Sequence, residues 1–186
     1  MNIEPTRLPG VLILEPKVFR DDRGFFLETW SASRFAASGL PSTFVQDNLS
    51  FSKRGVLRGL HFQHPTPQGK LLQVLRGEVF DVAVDVRVGS PSFGLWEGVT
   101  LSAENSRQLF IPEGFAHGFL VTSESALVSY KCTDVYQPKH EASLRWDDPD
   151  LAIAWPSRTP TLAPKDQAAP CLKDVEPERL PKFRAV

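Results

Sequence analysis

The chain has 186 residues, of which 41% are hydrophobic and 23% charged, and its formal net charge is −1. This length fits one domain with a substantial core, and the near-neutral charge provides no basic field for nucleic acid. No apolar run approaches the roughly 18 residues of a membrane span, and the N-terminus lacks the apolar core of a signal peptide. Cys132 and Cys171 have no metal-finger spacing and are too few for a disulfide scaffold. We therefore expect a cytoplasmic protein with reduced thiols.

The N-terminal third alternates short strand patterns with turns. A strand is predicted at 11–14, and the Asp-Asp-Arg-Gly sequence at 21–24 predicts a tight turn. A second strand is predicted at 25–30. Ser31 is a candidate N-cap for a short helix that ends at Ala37, before Gly39 and Pro41. Further strands, each bounded by Gly, Pro, Ser or Asn, are predicted at 43–48, 56–63 and 70–75.

The clearest strand covers residues 79–86. Four apolar residues, Phe80, Val82, Val84 and Val86, share one face by strand alternation, whereas Asp81 and Asp85 lie on the other. Arg76-Gly77 predicts a hairpin turn between this strand and the one before it. Four more strands are predicted at 96–101, 107–111, 119–122 and 126–133.

About ten short strands with almost no helix between them indicate antiparallel sheets, because parallel strands need long and usually helical crossovers. We therefore expect an all-β sandwich, jelly roll or barrel. After Pro138 the sequence becomes rich in proline and irregular. We expect a single domain over 1–186, with 139–186 packed on it as an irregular segment.

Three stretches contain candidate chemical groups, and the first is Arg58-Gly-Leu-His-Phe-Gln63, followed by Gly69-Lys70. On a regular strand His61 and Gln63 would share one face and Arg58 would lie on the other. An isolated histidine on a strand is more often structural than catalytic. The nearby arginine, lysine and glycine favour a site here.

The second stretch is Pro112-Glu-Gly-Phe-Ala-His-Gly118. Its PxGxxH pattern resembles the second motif of cupins, in which the histidine can bind a metal. The first cupin motif would need an HxH pair, but here His61 and His64 are spaced HxxH and would point to opposite faces of a strand. The sequence therefore predicts no metal site.

The third stretch contains Tyr130 and Tyr136, the two tyrosines of the chain. On one unbroken strand they would share a face about 20 Å apart, and the simplest interpretation is two amphipathic strand aromatics. Far along the chain, Lys165-Asp166 provides a carboxylate that could orient a histidine, although such a pair in a loop is usually a solvated surface pair.

Taken together and in chain order, these stretches, with Asp21–Glu28 and Gln46-Asp47-Asn48, resemble the dTDP-4-dehydrorhamnose 3,5-epimerase family from about residue 9 to residue 174. The resemblance implies a jelly-roll β-sandwich of the cupin type that forms a homodimer. It also implies a dTDP-4-keto-6-deoxyhexose substrate, and no metal or organic cofactor. The absence of a GxGxxG fingerprint from the sequence agrees with chemistry that needs no redox cofactor.

The resemblance also implies roles for individual residues. His61 would be the base, paired with Asp166; Lys70 would stabilise an enolate, and Tyr130 would be the acid. Arg23 and Glu28 would serve the site of the partner subunit. The full set of expected substrate contacts is Arg23, Glu28, Gln46, Asp47, Asn48, Arg58, Lys70, His117, Tyr136, Glu141 and Lys165.

Two alternatives remain open at this point. A relative that inverts only C3 or only C5 of a dTDP-4-ketosugar would share the catalytic residues and differ in the shape of its pocket. A sugar-binding cupin, either non-catalytic or metal-binding, would belong to a different functional class.

Overall fold

The computed structural model describes residues 1–184, and these form two antiparallel sheets with short peripheral helices. The strands are β1 (Asn2–Pro5), β2 (Leu12–Glu15), β3 (Val18–Asp21), β4 (Gly24–Leu27), β5 (Gln46–Lys53), β6 (Leu57–Gln63), β7 (Lys70–Arg76), β8 (Glu78–Asp85), β9 (Trp96–Ser102), β10 (Gln108–Ile111), β11 (Phe115–Val121), β12 (Ser125–Cys132) and β13 (Glu141–Ser143). The α-helices are α1 (Ala32–Ala37) and α2 (Pro164–Gln167), and 3₁₀ helices cover Leu172–Asp174 and Pro177–Arg179.

One sheet has six strands in the order β1-β2-β10-β7-β12-β5, and the other has five in the order β13-β6-β11-β8-β9. The β3–β4 hairpin forms a separate two-stranded sheet. Every pairing between these strands is antiparallel. The predicted all-β sandwich is therefore confirmed.

The main core lies between the two sheets. Leu72 of β7 and Leu109 of β10 pack there against Val79 and Ala83 of β8, all of them buried. Burial of each large aliphatic side chain stabilises the fold by about 1.5–3 kcal/mol. The outer face of β8, including Val82, packs under the C-terminal segment. Because β8 is covered on both sides, its aspartates are held inside the protein.

The C-terminal segment begins with β13, which extends the five-stranded sheet. Leu144, Leu151, Leu172 and Leu180 then pack on the outer face of that sheet. Positions 185 and 186 of the predicted segment lie outside the described residues.

One local prediction was wrong and another held only in part. Residues 76–77 do not form a hairpin turn, because β7 pairs with β10 and β12 while β8 pairs with β11 and β9. Gly77, at φ +77°, instead carries the chain from one sheet to the other. Ser31 is the N-cap residue of α1, which ends at Ala37 as predicted, but its side chain makes no capping hydrogen bond and its Oγ lies 3.3 Å from Ser33 Oγ instead.

The register between strands β6 and β11 shifts at the centre of their ladder. His117 pairs with His61, but Phe119 pairs with Arg58, so two residues of β6, Gly59 and Leu60, face one residue of β11, Gly118. Gly59 lies at this irregularity and has a φ of +123°. A Cβ there would lie 2.4 Å from the Cα of Gly118. Only glycine fits at this position.

Candidate active site

A cavity of about 710 Å³ opens between the two sheets, with walls from β5, β6, β12 and the loop that leads into α2. It gathers all but three of the predicted site residues, although they are scattered over the sequence from position 46 to position 166. The predicted residues that line it are Gln46, Asn48, Arg58, His61, Lys70, His117, Tyr130, Tyr136, Glu141, Lys165 and Asp166.

Arg58 and His61 both line this cavity, which corrects the expectation that they would point to opposite faces of a strand. The irregularity at Gly59 shifts the alternation of β6 by one residue between them. Sequence periodicity could not show this, because the irregularity depends on the partner strand.

Three predicted residues lie elsewhere. Asp47 points away from the cavity because its neighbours on β5 point into it, and it accepts a hydrogen bond from Lys131 Nζ at 2.8 Å. Arg23 lies on the exposed β3–β4 turn and pairs with Asp21. Glu28 pairs with Arg34, at 3.3 Å. None of the three lines the cavity.

His61 and Asp166 form a hydrogen-bonded pair, with Nε2 and Oδ1 2.6 Å apart. Burial of Asp166 alone would raise its pKa, but the hydrogen bond and charge of His61, with the Gly59 N–H and Lys165, outweigh burial and lower it. Asp166 is therefore a carboxylate, which only accepts, so Nε2 of His61 carries the proton. In the neutral ring Nδ1 is then left with a free lone pair and can act as a base.

A second histidine–aspartate pair lies beside the first. His117 Nε2 is 3.0 Å from both carboxylate oxygens of Asp81, and both side chains are buried. Burial lowers the pKa of His117, and the charge of Asp81 offsets this only in part. His117 is thus held neutral at pH 7. The sequence contained a clue to Asp81, namely a carboxylate inside a strand of aliphatic residues, but it was not assigned to the site.

Lys70 begins β7 and is 9% exposed. Burial lowers the pKa of its ammonium group, and the negative charges of Asp81 and Glu141 counter this in part. An ammonium group in such a place is only weakly hydrated. It can therefore interact strongly with an anionic oxygen that enters the cavity.

The two tyrosines do not share a strand, because β12 ends at Cys132. The prediction that they lie far apart on one face was therefore wrong, and both line the same cavity. Burial raises the pKa of the Tyr130 phenol, which stays protonated at neutral pH. Tyr136 is half exposed, and its hydroxyl donates to Glu141 Oε2 at 3.0 Å. Lys165 Nζ donates to the other oxygen of Glu141 at 2.9 Å.

Arg58 lies where the cavity opens to solvent. Its Nε donates to Ser52 Oγ at 2.9 Å, which fixes the guanidinium plane while leaving donors free for an anion. On the opposite wall Gln46 Nε2 donates to Asn48 Oδ1 at 3.0 Å.

The histidines do not converge on a metal site. Over residues 1–184 no three His, Cys, Asp or Glu side chains come together in a metal-binding group. His64 lies outside this cavity and its Nδ1 is buried without a hydrogen-bond partner. In the same part of the chain no helix is long and apolar enough to cross a membrane.

An antiparallel cupin-type sandwich whose cavity contains a carboxylate-paired histidine, a buried lysine and a protonated tyrosine defines a class of proton-transferring sugar epimerases. The chain belongs to the dTDP-4-dehydrorhamnose 3,5-epimerase family, whose model matches residues 5–174.

Several relatives illustrate the membership. A dTDP-4-dehydrorhamnose 3,5-epimerase of Salmonella typhimurium is 57% identical, over 92% of this chain and 96% of its own length. A crystal structure of a dTDP-6-deoxy-D-glucose-3,5-epimerase from Legionella pneumophila, in complex with dTDP-4-keto-L-rhamnose, is 53% identical and covers 99% of both chains with a TM-score of 0.96. A dTDP-4-dehydrorhamnose 3-epimerase of Streptomyces niveus is 44% identical, over 91% of this chain and 83% of its own length.

Proposed function

We propose that this protein is an isomerase that converts dTDP-4-dehydro-6-deoxy-D-glucose into dTDP-4-dehydro-L-rhamnose, by inverting C3 and C5, in dTDP-L-rhamnose biosynthesis. The observation that carries the proposal is the His61–Asp166 pair, which lines the same cavity as Lys70 and Tyr130. The family membership and the names of the relatives support the substrate.

The C4 ketone of such a sugar makes the protons on C3 and C5 weakly acidic, because removal of either gives an enolate. His61 takes the proton at Nδ1, the nitrogen that Asp166 leaves free. As the ring becomes an imidazolium, the carboxylate of Asp166 stabilises its charge. The 2.6 Å contact between the two side chains supports this pairing.

The enolate oxygen needs a positive partner. Lys70 provides this positive charge, and because its side chain is buried, water screens the charge only weakly. His117, held toward Asp81 through Nε2, has Nδ1 available as an acceptor for a hydroxyl of the sugar. Both side chains line the cavity.

Inversion needs an acid on the face opposite the base. His61 belongs to the five-stranded sheet and Tyr130 to the six-stranded sheet, so the two residues approach the cavity from different walls. Tyr130 is protonated at neutral pH and donates to the carbon from its side.

The nucleotide occupies the open part of the cavity. Arg58 binds the diphosphate through its free guanidinium donors, and Tyr136 offers an aromatic face to the thymine. The remaining cavity residues of the expected set, Gln46, Asn48, Glu141 and Lys165, complete this subsite.

The test is incubation of the protein with dTDP-4-keto-6-deoxyglucose in D₂O, followed by proton NMR of the product. A 3,5-epimerase places deuterium at both C3 and C5 and inverts both carbons. Deuterium at C3 alone would identify a 3-epimerase, the alternative that the Streptomyces niveus relative favours. No deuterium in the sugar would identify a sugar-binding cupin.

We further propose that the protein is a homodimer in which the β3–β4 hairpin reaches the site of the partner subunit. Phe25 and Phe26 on this hairpin are 60% and 70% exposed, which is unusual for large apolar side chains next to each other. Arg23 and Glu28, absent from the cavity of their own subunit, lie on or beside the same hairpin.

Hybrid dimers test this arrangement. Arg23→Ala and His61→Ala chains, each weakly active alone, are expressed together with different tags and purified as the mixed dimer. One site of the hybrid then contains both native residues, so activity is expected to return. Mixed dimers as inactive as the two parents would contradict a shared site.

Finally, we propose that the protein works in the cytoplasm. Cys132 and Cys171 are both free thiols, as expected in a reducing compartment.

A further inference from the structure

The segment 134–137, which contains Tyr136, has no regular secondary structure. It follows the end of β12, and its two central side chains, Val135 and Tyr136, are 45% and 47% exposed. Neither a strand partner nor buried apolar anchors fix this part of the chain. Its position over the cavity must come from other contacts.

Glutamine side chains supply those contacts. Gln63 Nε2 donates to Val135 O at 3.3 Å, and the Gln137 N–H donates to Gln63 Oε1 at 2.8 Å. One buried amide thus bonds the residues on both sides of Tyr136.

Two further amides extend the arrangement. Gln68 Nε2 donates to Asp134 O at 2.7 Å, and the Tyr136 N–H donates to Gln46 Oε1 at 2.7 Å. Side chains therefore bond to the backbone of all four residues of 134–137.

The hydroxyl of Tyr136 is held by the residue that lies opposite Gln63 in the sheet. Glu141, which accepts from this hydroxyl, is the direct cross-strand partner of Gln63 in the β6–β13 ladder. Gln63 and Glu141 thus face each other at one register position. Gln63 bonds to the backbone on both sides of Tyr136, and Glu141 accepts from its hydroxyl. Gln63 is 5% exposed and also donates to Thr66 O at 2.9 Å, so its amide has little freedom to turn.

We propose that Gln63 and Gln68 are positioning residues, which act on nucleotide binding through Tyr136 and hold its ring at the mouth of the cavity. This inference rests on the proposed function, in which the ring of Tyr136 contacts the nucleotide. It predicts that the loss of either amide weakens nucleotide binding only while the Tyr136 ring is present.

The first experiment is a double-mutant cycle read by titration calorimetry with dTDP. Gln63→Met, which keeps the size of the side chain and removes its amide, is expected to raise the Kd about tenfold, because it loses the hydrogen bonds that orient Tyr136. In a Tyr136→Ala background the same change should leave the Kd within about twofold. An equal weakening in both backgrounds, or no weakening in either, would overturn the proposal.

The control is Gln108→Met. Gln108 is also a buried glutamine with two hydrogen bonds, to Thr29 O at 2.8 Å and to Gln73 Oε1 at 3.1 Å, but it lies outside the cavity. Its replacement should lower thermal stability and leave dTDP affinity unchanged. A matching loss of affinity in this variant would show a general structural effect and overturn the positioning role. Gln68→Met, which removes one bond to the same segment, repeats the cycle if Gln63→Met does not fold.

The second experiment needs no ligand and so separates this inference from the proposed function. Only two tyrosines exist in the chain, so a protein labelled in its tyrosine rings gives two sets of NMR signals, which Tyr136→Phe assigns. Gln63→Met should shift or broaden the signals of Tyr136 and leave those of Tyr130 unchanged. Unchanged Tyr136 signals would overturn the positioning role, whereas a wild-type protein that neither binds dTDP nor turns over the ketosugar would overturn the function alone.

Discussion

His61 and His117 are direct cross-strand partners in the β6–β11 ladder, yet their imidazoles bond to different carboxylates. His61 bonds to Asp166 on α2, and His117 bonds to Asp81 on β8. Two histidines at one register position thus have separate partners on opposite sides of their ladder. The same residue type can therefore perform two tasks in one cavity.

Replacement of His61 by alanine should nearly abolish deuterium exchange at both C3 and C5, with a loss of about 10²–10⁴-fold. One base serves both carbons, and the neighbouring His117 is buried and held toward Asp81. Product NMR in D₂O measures both positions at once. His117→Asn is the matched control, and it should slow both exchanges by a smaller factor. Exchange at C5 that continues at the wild-type rate would contradict a single base.

Asp166→Asn should lower kcat, because a carboxamide has only one accepting oxygen, so it cannot accept from both His61 Nε2 and the Gly59 N–H, and it does not stabilise an imidazolium. It should also change stability with pH in a defined direction. The pKa of Asp166 is lowered in the folded state, so its carboxylate stabilises the fold above the unfolded pKa of about 3.9. The difference in Tm between wild type and variant should be constant from pH 7 to about pH 5, and should shrink below about pH 4 as protonation removes the charge. A difference that grows on acidification would contradict the assignment.

Lys70→Met should raise Tm at neutral pH and lower kcat. Burial lowers the pKa of Lys70, so the folded state holds its proton less tightly than the unfolded chain does. The charged form therefore costs stability in full below the folded pKa, and this cost declines as the pH rises from the folded pKa to the unfolded pKa. An apolar side chain of similar length removes the cost and also removes the cation that stabilises the enolate.

The same shift sets the alkaline limb of the pH–rate profile. The pKa of Lys70 lies below its usual value of about 10.4, whereas that of Tyr130 is raised above about 10. Activity should therefore fall at alkaline pH as Lys70, whose burial makes its proton easier to lose, becomes neutral. In Lys70→Arg this limb should move to higher pH, and an unmoved limb would assign it to another group.

Tyr130→Phe should separate proton removal from inversion. His61 is intact in this variant, so deuterium still enters the substrate, while the inverted product falls sharply because no acid acts on the opposite face. Tyr136→Phe keeps the ring and loses only a hydroxyl that already donates to Glu141, so turnover should be largely kept. Tyr136→Ala should raise KM. The reverse pattern, with Tyr136→Phe stopping inversion, would transfer the acid role to Tyr136.

Chelators should leave the epimerisation rate unchanged, and metal analysis of the purified protein should give less than one zinc, iron or manganese per chain. The physical reason is the divergence of the histidines, since His61 and His117 each bond to an aspartate while His64 lies outside the cavity. Stoichiometric metal that rises and falls with activity would contradict the cofactor-free mechanism.

Sequence patterns predicted most of the strands because alternation is a local property, although β1, β3 and β13 were missed and the bounds of β5 and β11 were shifted. The strand 79–86, for instance, was placed within one residue of β8 (Glu78–Asp85), with Asp81 and Asp85 on the face opposite Val82. The same patterns failed where a strand depends on its partner. The irregularity at Gly59 turns Arg58 and His61 to the same side, and no periodicity in β6 alone reveals it.

The candidate site came mainly from resemblance, since alternation alone favoured ordinary strand residues at His61 and the tyrosines. The carboxylate of Asp81 inside an aliphatic strand was a clue, but its partner His117 is apparent only once β8 lies beside β11. The glutamines around Tyr136 were missed for a similar reason. Gln63 and Val135 are 72 positions apart, and no local pattern connects them.

The close contact between Gly59 and Gly118 also limits how this enzyme can be redesigned. A Cβ on either residue would clash with the backbone of the opposite strand, at 2.4 Å from Gly118 Cα in one direction and 2.8 Å from Arg58 O in the other. Side chains therefore cannot be introduced at Gly59 or Gly118, next to the cavity residues Arg58 and His117, without separating β6 from β11 beside both histidines. Libraries for new substrates should therefore vary Ser50 on β5, which lines the cavity from the opposite wall on the same strand face as Gln46 and Asn48 and leaves the strand ladder of the histidines intact.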